Sequence, residues 1–178
     1  MKSTNRMILL VALVCAAPFV SAWVAYYFVK PSGGNSYGEL LPTRPLTQVT
    51  VPGETTPESP KAKWRLVLTL PDACDKPCEE LLYSTRQART MLGRDKDRVV
   101  RVIVANSKPA ADVAAANPDV ILLPNAPAQM PADWRAQLDR GVLLIDPLGN
   151  QVMLWPRNPD IKKLNTDLAR LLRASRIG

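Results

Sequence analysis

The sequence predicts an α/β domain, a central mixed sheet flanked by helices, carried behind one N-terminal transmembrane helix. Three observations lead there. Residues 7–29 run uncharged from Arg6 to Lys30. From residue 64 onward, short apolar runs of strand length alternate with stretches of helical periodicity, the pattern of β-α-β units. Near the C-terminus, the strand-like runs 142–145 and 151–155 are separated by turn residues and followed by an amphipathic stretch. That order makes an antiparallel hairpin and a closing helix.

The chain opens with a short tail, residues 1–6, before the apolar run 7–29. At 1.5 Å per residue such a run spans about 34 Å, enough for a hydrocarbon core of about 30 Å. Trp23, Tyr26, Tyr27 and Phe28 cluster at its far end, where aromatic rings favour the membrane interface. Lys2 and Arg6 flank its start, and after Lys30 no cation appears until Arg44. The positive-inside rule then places the N-terminus in the cytoplasm and exports the rest. The rival reading is a secretory signal cleaved after Val20-Ser21-Ala22, but the apolar run continues seven residues beyond Ala22. Cys15 lies within the run and is expected to be a buried, inert thiol.

Residues 30–63 read as an exported linker. Six prolines and four glycines fall between 31 and 63, with little periodicity of either kind. Within it, residues 37–42 form the one patch able to pack on something, the domain that follows being one candidate. The alternation at 47–51 would suit a short edge strand.

The head is expected over residues 64–178. The run 64–70 is nearly continuous in apolar residues, as in a strand buried on both faces. Pro71 and Asp72 end it. Pro77 suits a first helical turn, and Glu79 and Glu80 suit the positive end of a helix. Leu81, Leu82, Thr85, Ala88, Arg89 and Leu92 then recur at helical spacing, with Gly93 placed to cap them. Residues 98–105 are a short β-branched strand. A weaker helix follows near 109–116, a short apolar run at 120–123, and another helix at 131–140. After the hairpin, Ile161, Leu164, Leu168, Leu171 and Leu172 form the stripe of the last helix.

Composition narrows the chemistry. The 178 residues contain no histidine, which excludes Cys-His nucleophiles and every metal site that needs imidazole. The net charge of +7 comes from cations scattered among acids, with no basic run, so a solvated surface is expected and no nucleic acid. Three cysteines are too few for a disulfide framework. Two of them, Cys74 and Cys78, stand at C-x-x-x-C spacing where the first strand passes into the first helix. They are the one constellation with obvious chemistry.

The β-α-β start, hairpin and terminal helix form the thioredoxin-like arrangement. The C-x-x-x-C Cys74-Asp75-Lys76-Pro77-Cys78, the hairpin Leu144-Ile145-Asp146-Pro147-x-Gly149, the helix at 161–172 and the single anchor together resemble the Sco/SenC family of membrane-tethered, thioredoxin-like copper proteins. More closely, the chain is similar to small Sco-like transmembrane proteins that accompany haem–copper oxidase assembly genes in proteobacteria. The resemblance covers most of 64–178. It implies a single-pass protein of the inner membrane with a periplasmic head, and a respiratory oxidase copper-site subunit or another assembly factor as partner. It implies an accessory role, as metallochaperone or thiol–disulfide protein, rather than that of a classical enzyme. The family's histidine ligand, which would fall near residues 137–141, is missing, and Gly141 stands where a thioredoxin reductase-type site would carry a proline.

Two chemistries fit the pair. Cu(I) is soft and accepts two thiolates, so Cys74 and Cys78 can hold it unaided, with Met130 or Met153 as a candidate third sulfur; Cu(II) would want imidazole. Thiol–disulfide exchange is the other, since a helix N-terminus favours a thiolate. Asp72, Asp75, Glu79 and Glu80 oppose that charge and Lys76 partly offsets them. The alternative is a degenerate thioredoxin-like interaction protein in which the pair is only a structural disulfide.

Overall fold

The computed structural model describes residues 2–28, 36–45, 62–71, 73–105, 108–123 and 132–175, in two compact units, Met1–Asn35 and Ser36–Gly178. The first unit is helix α1 (Lys2–Phe28). Its segment Asn5–Tyr27 is long and apolar enough to cross a membrane, and its side chains are exposed. A long helix that is apolar all round is the form a membrane span takes. Pro18 lies inside it, and Ser21 Oγ donates to the Pro18 carbonyl at 3.0 Å. Cys15 lies on this helix and is not disulfide-bonded.

The second unit is built on a mixed sheet of six strands: β1 (Glu39–Leu40), β2 (Trp64–Thr69), β3 (Val99–Val104), β4 (Val120–Leu123), β5 (Gly141–Ile145) and β6 (Gln151–Pro156). Their spatial order is β1-β6-β5-β2-β3-β4. β2, β3 and β4 are parallel, whereas β5 runs antiparallel to β2, β6 to β5 and β1 to β6. Among the described residues the helices are α2 (Lys76–Thr90), α3 (Lys108–Ala116), α4 (Ala132–Arg140) and α5 (Ile161–Ala174).

Strand alternation divides the interior into two cores. Leu66 and Leu68, with Val142, Leu144, Met153 and Trp155, meet Leu81, Leu82 and Ala88 of α2 and Leu164, Leu168 and Leu172 of α5. The intervening Val67, with Leu143, Ile145 and Leu154, meets Trp134 and Leu138 of α4 on the other face. β2 is thereby covered on both sides, which explains its nearly continuous apolar sequence. Each such leucine contributes roughly 1.5–3 kcal/mol on burial.

Two arginines interrupt the apolar strands and are still buried. Arg65 donates to the Asp146 carbonyl at 3.1 Å, tying β2 to the hairpin turn. Arg101 of β3 makes two 2.8 Å hydrogen bonds to the Asp119 carboxylate, and donates to Leu82 O at 3.0 Å and Thr85 Oγ1 at 3.3 Å on α2. The guanidinium thus locks α2 to the turn before β4. Burial works against the charge of Asp119, but the hydrogen bonds and charge of Arg101 outweigh it and hold the carboxyl below its ordinary 3.8.

The hairpin connection is the expected turn. Asp146 accepts from the Asn150 N–H at 2.7 Å and from its side-chain amide at 3.1 Å, while Gly149 takes a φ of 86°.

The compact unit begins at Ser36, inside the stretch that composition reads as linker. The patch 37–42 does pack on the head. β1 pairs Glu39 with Leu154 and Leu40 with Met153, and Leu41 N–H donates to Val152 O at 3.0 Å. The Gly38 N–H donates to Asp167 Oδ2 at 2.8 Å, the same buried oxygen that accepts from Trp155 Nε1 at 3.0 Å. A Cβ on Gly38 would stand 2.6 Å from both Met153 Sδ and Trp155 Nε1, so only glycine fits. Outside, Arg140 pairs with Glu39 at 2.6 Å, and Lys163 Nζ lies 5.3 Å above the Tyr37 ring. The segment 47–51, whose alternation would suit an edge strand, lies outside the described residues.

Candidate thiol site

The site forms where β2 gives way to α2. β2 must end at Thr69, because Pro71 cannot donate to the ladder. The chain turns through Ala73 and Cys74, and Asp75 caps α2: its backbone is extended and its carboxylate accepts from the Cys78 N–H at 3.2 Å. Pro77 occupies the first turn and Glu79 N–H closes it on Asp75 O at 3.0 Å. Cys78 falls on the inward face of that turn.

Cys74 and Cys78 are disulfide-bonded, with their Cα atoms 5.2 Å apart. The two sulfurs differ in setting. Cys78 is only 4% exposed and belongs to the core with Leu81 and Leu82, whereas Cys74 is half-buried at the core's margin. An attacking group therefore finds Cys74 the more open.

Beside the bond lies a cleft of about 390 Å³, lined by Pro71, Asp75, Pro77, Cys78, Glu80, Arg157 and Asn158. Arg157, just past β6, donates to Thr69 O at 3.2 Å and to Asp139 O at 3.4 Å. Thr69 Oγ1 in turn donates to Leu138 O at 3.3 Å. The end of β2, the end of α4 and the segment after β6 are thus tied together at the mouth of the cleft.

Of the sequence-predicted residues, the fold joins Cys74 and Cys78 and sets Asp75 and Glu80 around the same cleft. It does not bring Met153 there as a free ligand: Met153 is 2% exposed in the core, its sulfur beside Gly38. Met130 lies outside the described residues. Residues 137–141, where the family histidine would fall, form the end of α4 and the start of β5. A Cβ at Gly141 would run into the Trp155 carbonyl, so that position can present no side chain. Among the described residues no cluster of three or more Cys, Asp or Glu side chains is arranged to hold a metal. The reduced pair has the donors for two-coordinate Cu(I) and lacks those for Cu(II). Arg157 and Asn158 were not legible as site residues, since they reach the cleft only through the sheet. Asp75 carried a readable sign as an N-cap, three residues before Cys78.

A mixed sheet between two helical layers, with a bonded cysteine pair where the first central strand enters its helix, defines a thioredoxin-like protein. Residues 64–175 match the family model described as the transmembrane-like, thioredoxin-like, C-terminal domain, and the chain belongs to that family. That match and the apolar helix α1 support a single-pass membrane protein. The fold is similar to that of copper-bound ScoI from Arabidopsis thaliana, at 17% identity and a TM-score of 0.54, covering 79% of this chain and 100% of that one. It is also similar to apo Sco1 protein from Thermus thermophilus, at 17% identity and a TM-score of 0.53, covering 79% and 96%. No curated protein matches the sequence.

Proposed function

We propose that this chain is a membrane-tethered accessory factor in the assembly of a haem–copper respiratory oxidase, acting through Cys74 and Cys78 on Cu(I), on thiol–disulfide state, or on both. The observation that carries the reading is the bonded pair, with Cys78 lining a cleft, in a fold shared with a copper-bound ScoI. The anchor belongs in the inner membrane and the head in the periplasm, where an oxidase copper-site subunit or a second assembly factor is the partner.

In exchange, an external dithiol first reduces the Cys74–Cys78 bond and is itself oxidised to a disulfide; the thiolate of Cys74 then attacks a partner disulfide, forming a mixed disulfide and releasing one partner thiolate. Cys78, deprotonated, then attacks the Cys74 sulfur, restores the intramolecular bond and expels the second partner thiolate. Two electrons pass to the partner, and its two thiolates take up the protons that the two cysteines gave to water. In metal handling the reduced pair takes Cu(I) as cargo between two sulfurs, a weakly enclosed arrangement suited to passing the ion on.

The burial of Cys78 favours one rival, a structural disulfide on an interaction protein. Anaerobic Cu(I) titration of the reduced full chain in detergent, against bicinchoninate, separates them. Competition by the wild type that disappears in Cys74→Ser supports the cargo reading; its absence removes it. Cells carrying Cys74→Ser should lose oxidase activity at low copper, and unchanged activity would end the assembly role.

A further inference from the structure

We infer that Arg157 is the specificity-determining residue for the thiol that opens the Cys74–Cys78 bond, receiving a carboxylate carried beside that thiol's sulfur. The inference rests on the thiol-exchange reading. Its ground is an arginine fixed at the mouth of the cleft with its charge uncancelled. Arg157 is the one cation among the residues lining the cleft. Its terminal nitrogens donate to Thr69 O at 3.2 Å and to Asp139 O at 3.4 Å, so the ends of β2 and α4 hold it in place. Both acceptors are neutral carbonyls, and among the described residues no carboxylate pairs with it. A guanidinium has more N–H donors than these bonds use, so donors remain for a ligand. Planar and always charged, it matches a carboxylate bidentately, and fixing it beforehand removes part of the entropic cost of binding.

The rest of the cleft decides where such an anion can lie. On the α2 side Asp75 and Glu80 line it and repel a carboxylate, which leaves the Arg157 end as the place for one. Asn158, next to Arg157, adds a neutral amide there. A volume of about 390 Å³ suits a small thiol or a few residues of a peptide. Cys78 lines the same cleft, so a thiol anchored at Arg157 lies beside the bond it must break. Its thiolate attacks the more open Cys74 sulfur, forming a mixed disulfide and expelling Cys78 as a thiolate. A second thiolate of the reductant then attacks the reductant's own sulfur in that mixed disulfide and frees Cys74. Two electrons pass from the reductant, which leaves as a disulfide, and the two cysteines take up protons from water.

The test measures how fast thiols open the disulfide of the full-length protein in detergent, by alkylating quenched samples and weighing them by mass spectrometry. Mercaptopropionate, mercaptoethanol and cysteamine carry a carboxylate, a neutral hydroxyl and an ammonium group. A short cysteine peptide containing an aspartate is compared with its asparagine counterpart. Ratios of rate constants per thiolate are compared between wild type, Arg157→Gln and Arg157→Lys, so the intrinsic reactivity of each thiol cancels. The preference for mercaptopropionate over mercaptoethanol should be about threefold greater in wild type than in Arg157→Gln, with Arg157→Lys between them, and the difference should shrink in high salt. Cysteamine should gain on mercaptoethanol in Arg157→Gln. A mere loosening of the ends of β2 and α4 would change all the rates alike. A matching preference for the aspartate peptide assigns the carboxylate to a protein partner, and a preference confined to mercaptopropionate assigns it to a small thiol; either supports the inference. Ratios unchanged in Arg157→Gln overturn it while leaving exchange intact. A wild-type bond that no thiol opens, dithiothreitol included, removes the exchange reading itself, and the inference with it.

Discussion

Arg101 and Asp119 show how much rests on single side chains in this head. Arg101 has no exposed side-chain surface, and its guanidinium makes four hydrogen bonds, to two carboxylate oxygens, a carbonyl and a hydroxyl. Removing one partner of such a pair strands the other charge. Asp119→Asn is expected to destabilise the head by roughly 2–3 kcal/mol, less than a fully enclosed pair because Asp119 is 23% exposed. Urea unfolding at neutral pH measures it. The pH dependence has a defined sign. A carboxyl held below 3.8 contributes its full share of stability above that value and loses it as the pH falls below 3.8 toward the lowered value. The urea midpoint of the wild type should therefore drop in that acid window, and the Asp119→Asn curve should be flatter there. Neither residue announces this role in sequence. Arg101 reads as an interruption in a β-branched run and Asp119 as a turn residue, and only the parallel register of β3 with β4 brings them together.

At the scale of elements, periodicity foretold most of the head. β2, β3, β5, β6, α2 and α5 each bury a face that the spacing of apolar residues marks out, and the hairpin turn is written in Asp146, Gly149 and Asn150. The site was legible to the same depth: the cysteine spacing and the helix start were visible, but not the cleft wall at Arg157. β1 was legible only as a patch, because two residues carry no period and the strand exists through partners more than a hundred positions away. Its dependence on Gly38 and Asp167 is testable. In Gly38→Ala the new methyl collides with Met153 and Trp155; in Asp167→Ala the Gly38 N–H and Trp155 Nε1 lose their acceptor, at roughly 1–3 kcal/mol for each buried group left unpaired. Hydrogen exchange should show lost protection at the amides of Gly38 and Leu41 in either variant, with the β2–β3 ladder still protected. Equal loss in both places would mean that β1 is not a separable element.

For the whole molecule, the question is what the disulfide contributes beyond its chemistry. The bridge joins residues four apart, and closing so short a loop stabilises by about 2 kcal/mol in the chain-entropy account. The two cores on either side of the sheet involve far more buried surface. Reduction, or the Cys74→Ser/Cys78→Ser double variant, should therefore leave the head folded, with a melting temperature lower by about 4–8 °C. Calorimetry with and without reductant checks this, and cooperative unfolding on reduction would show instead that the bridge is structural. A head that survives reduction can cycle between dithiol and disulfide without unmaking itself.

The short strand at the sheet's edge also acquires a mechanical meaning. Any tension arriving along the chain from the anchor side reaches Ser36–Pro45 before it reaches β2. The first contacts to meet that load are those of the edge segment: the two-residue ladder of β1, the Asp167 carboxylate on Gly38, and the bonds of Leu41, Pro42 and Arg44 to the β6 end of the hairpin. Yielding there would pay out chain as slack between anchor and head. The edge strand is in that sense placed as a fuse, ahead of the strands that hold the cysteines.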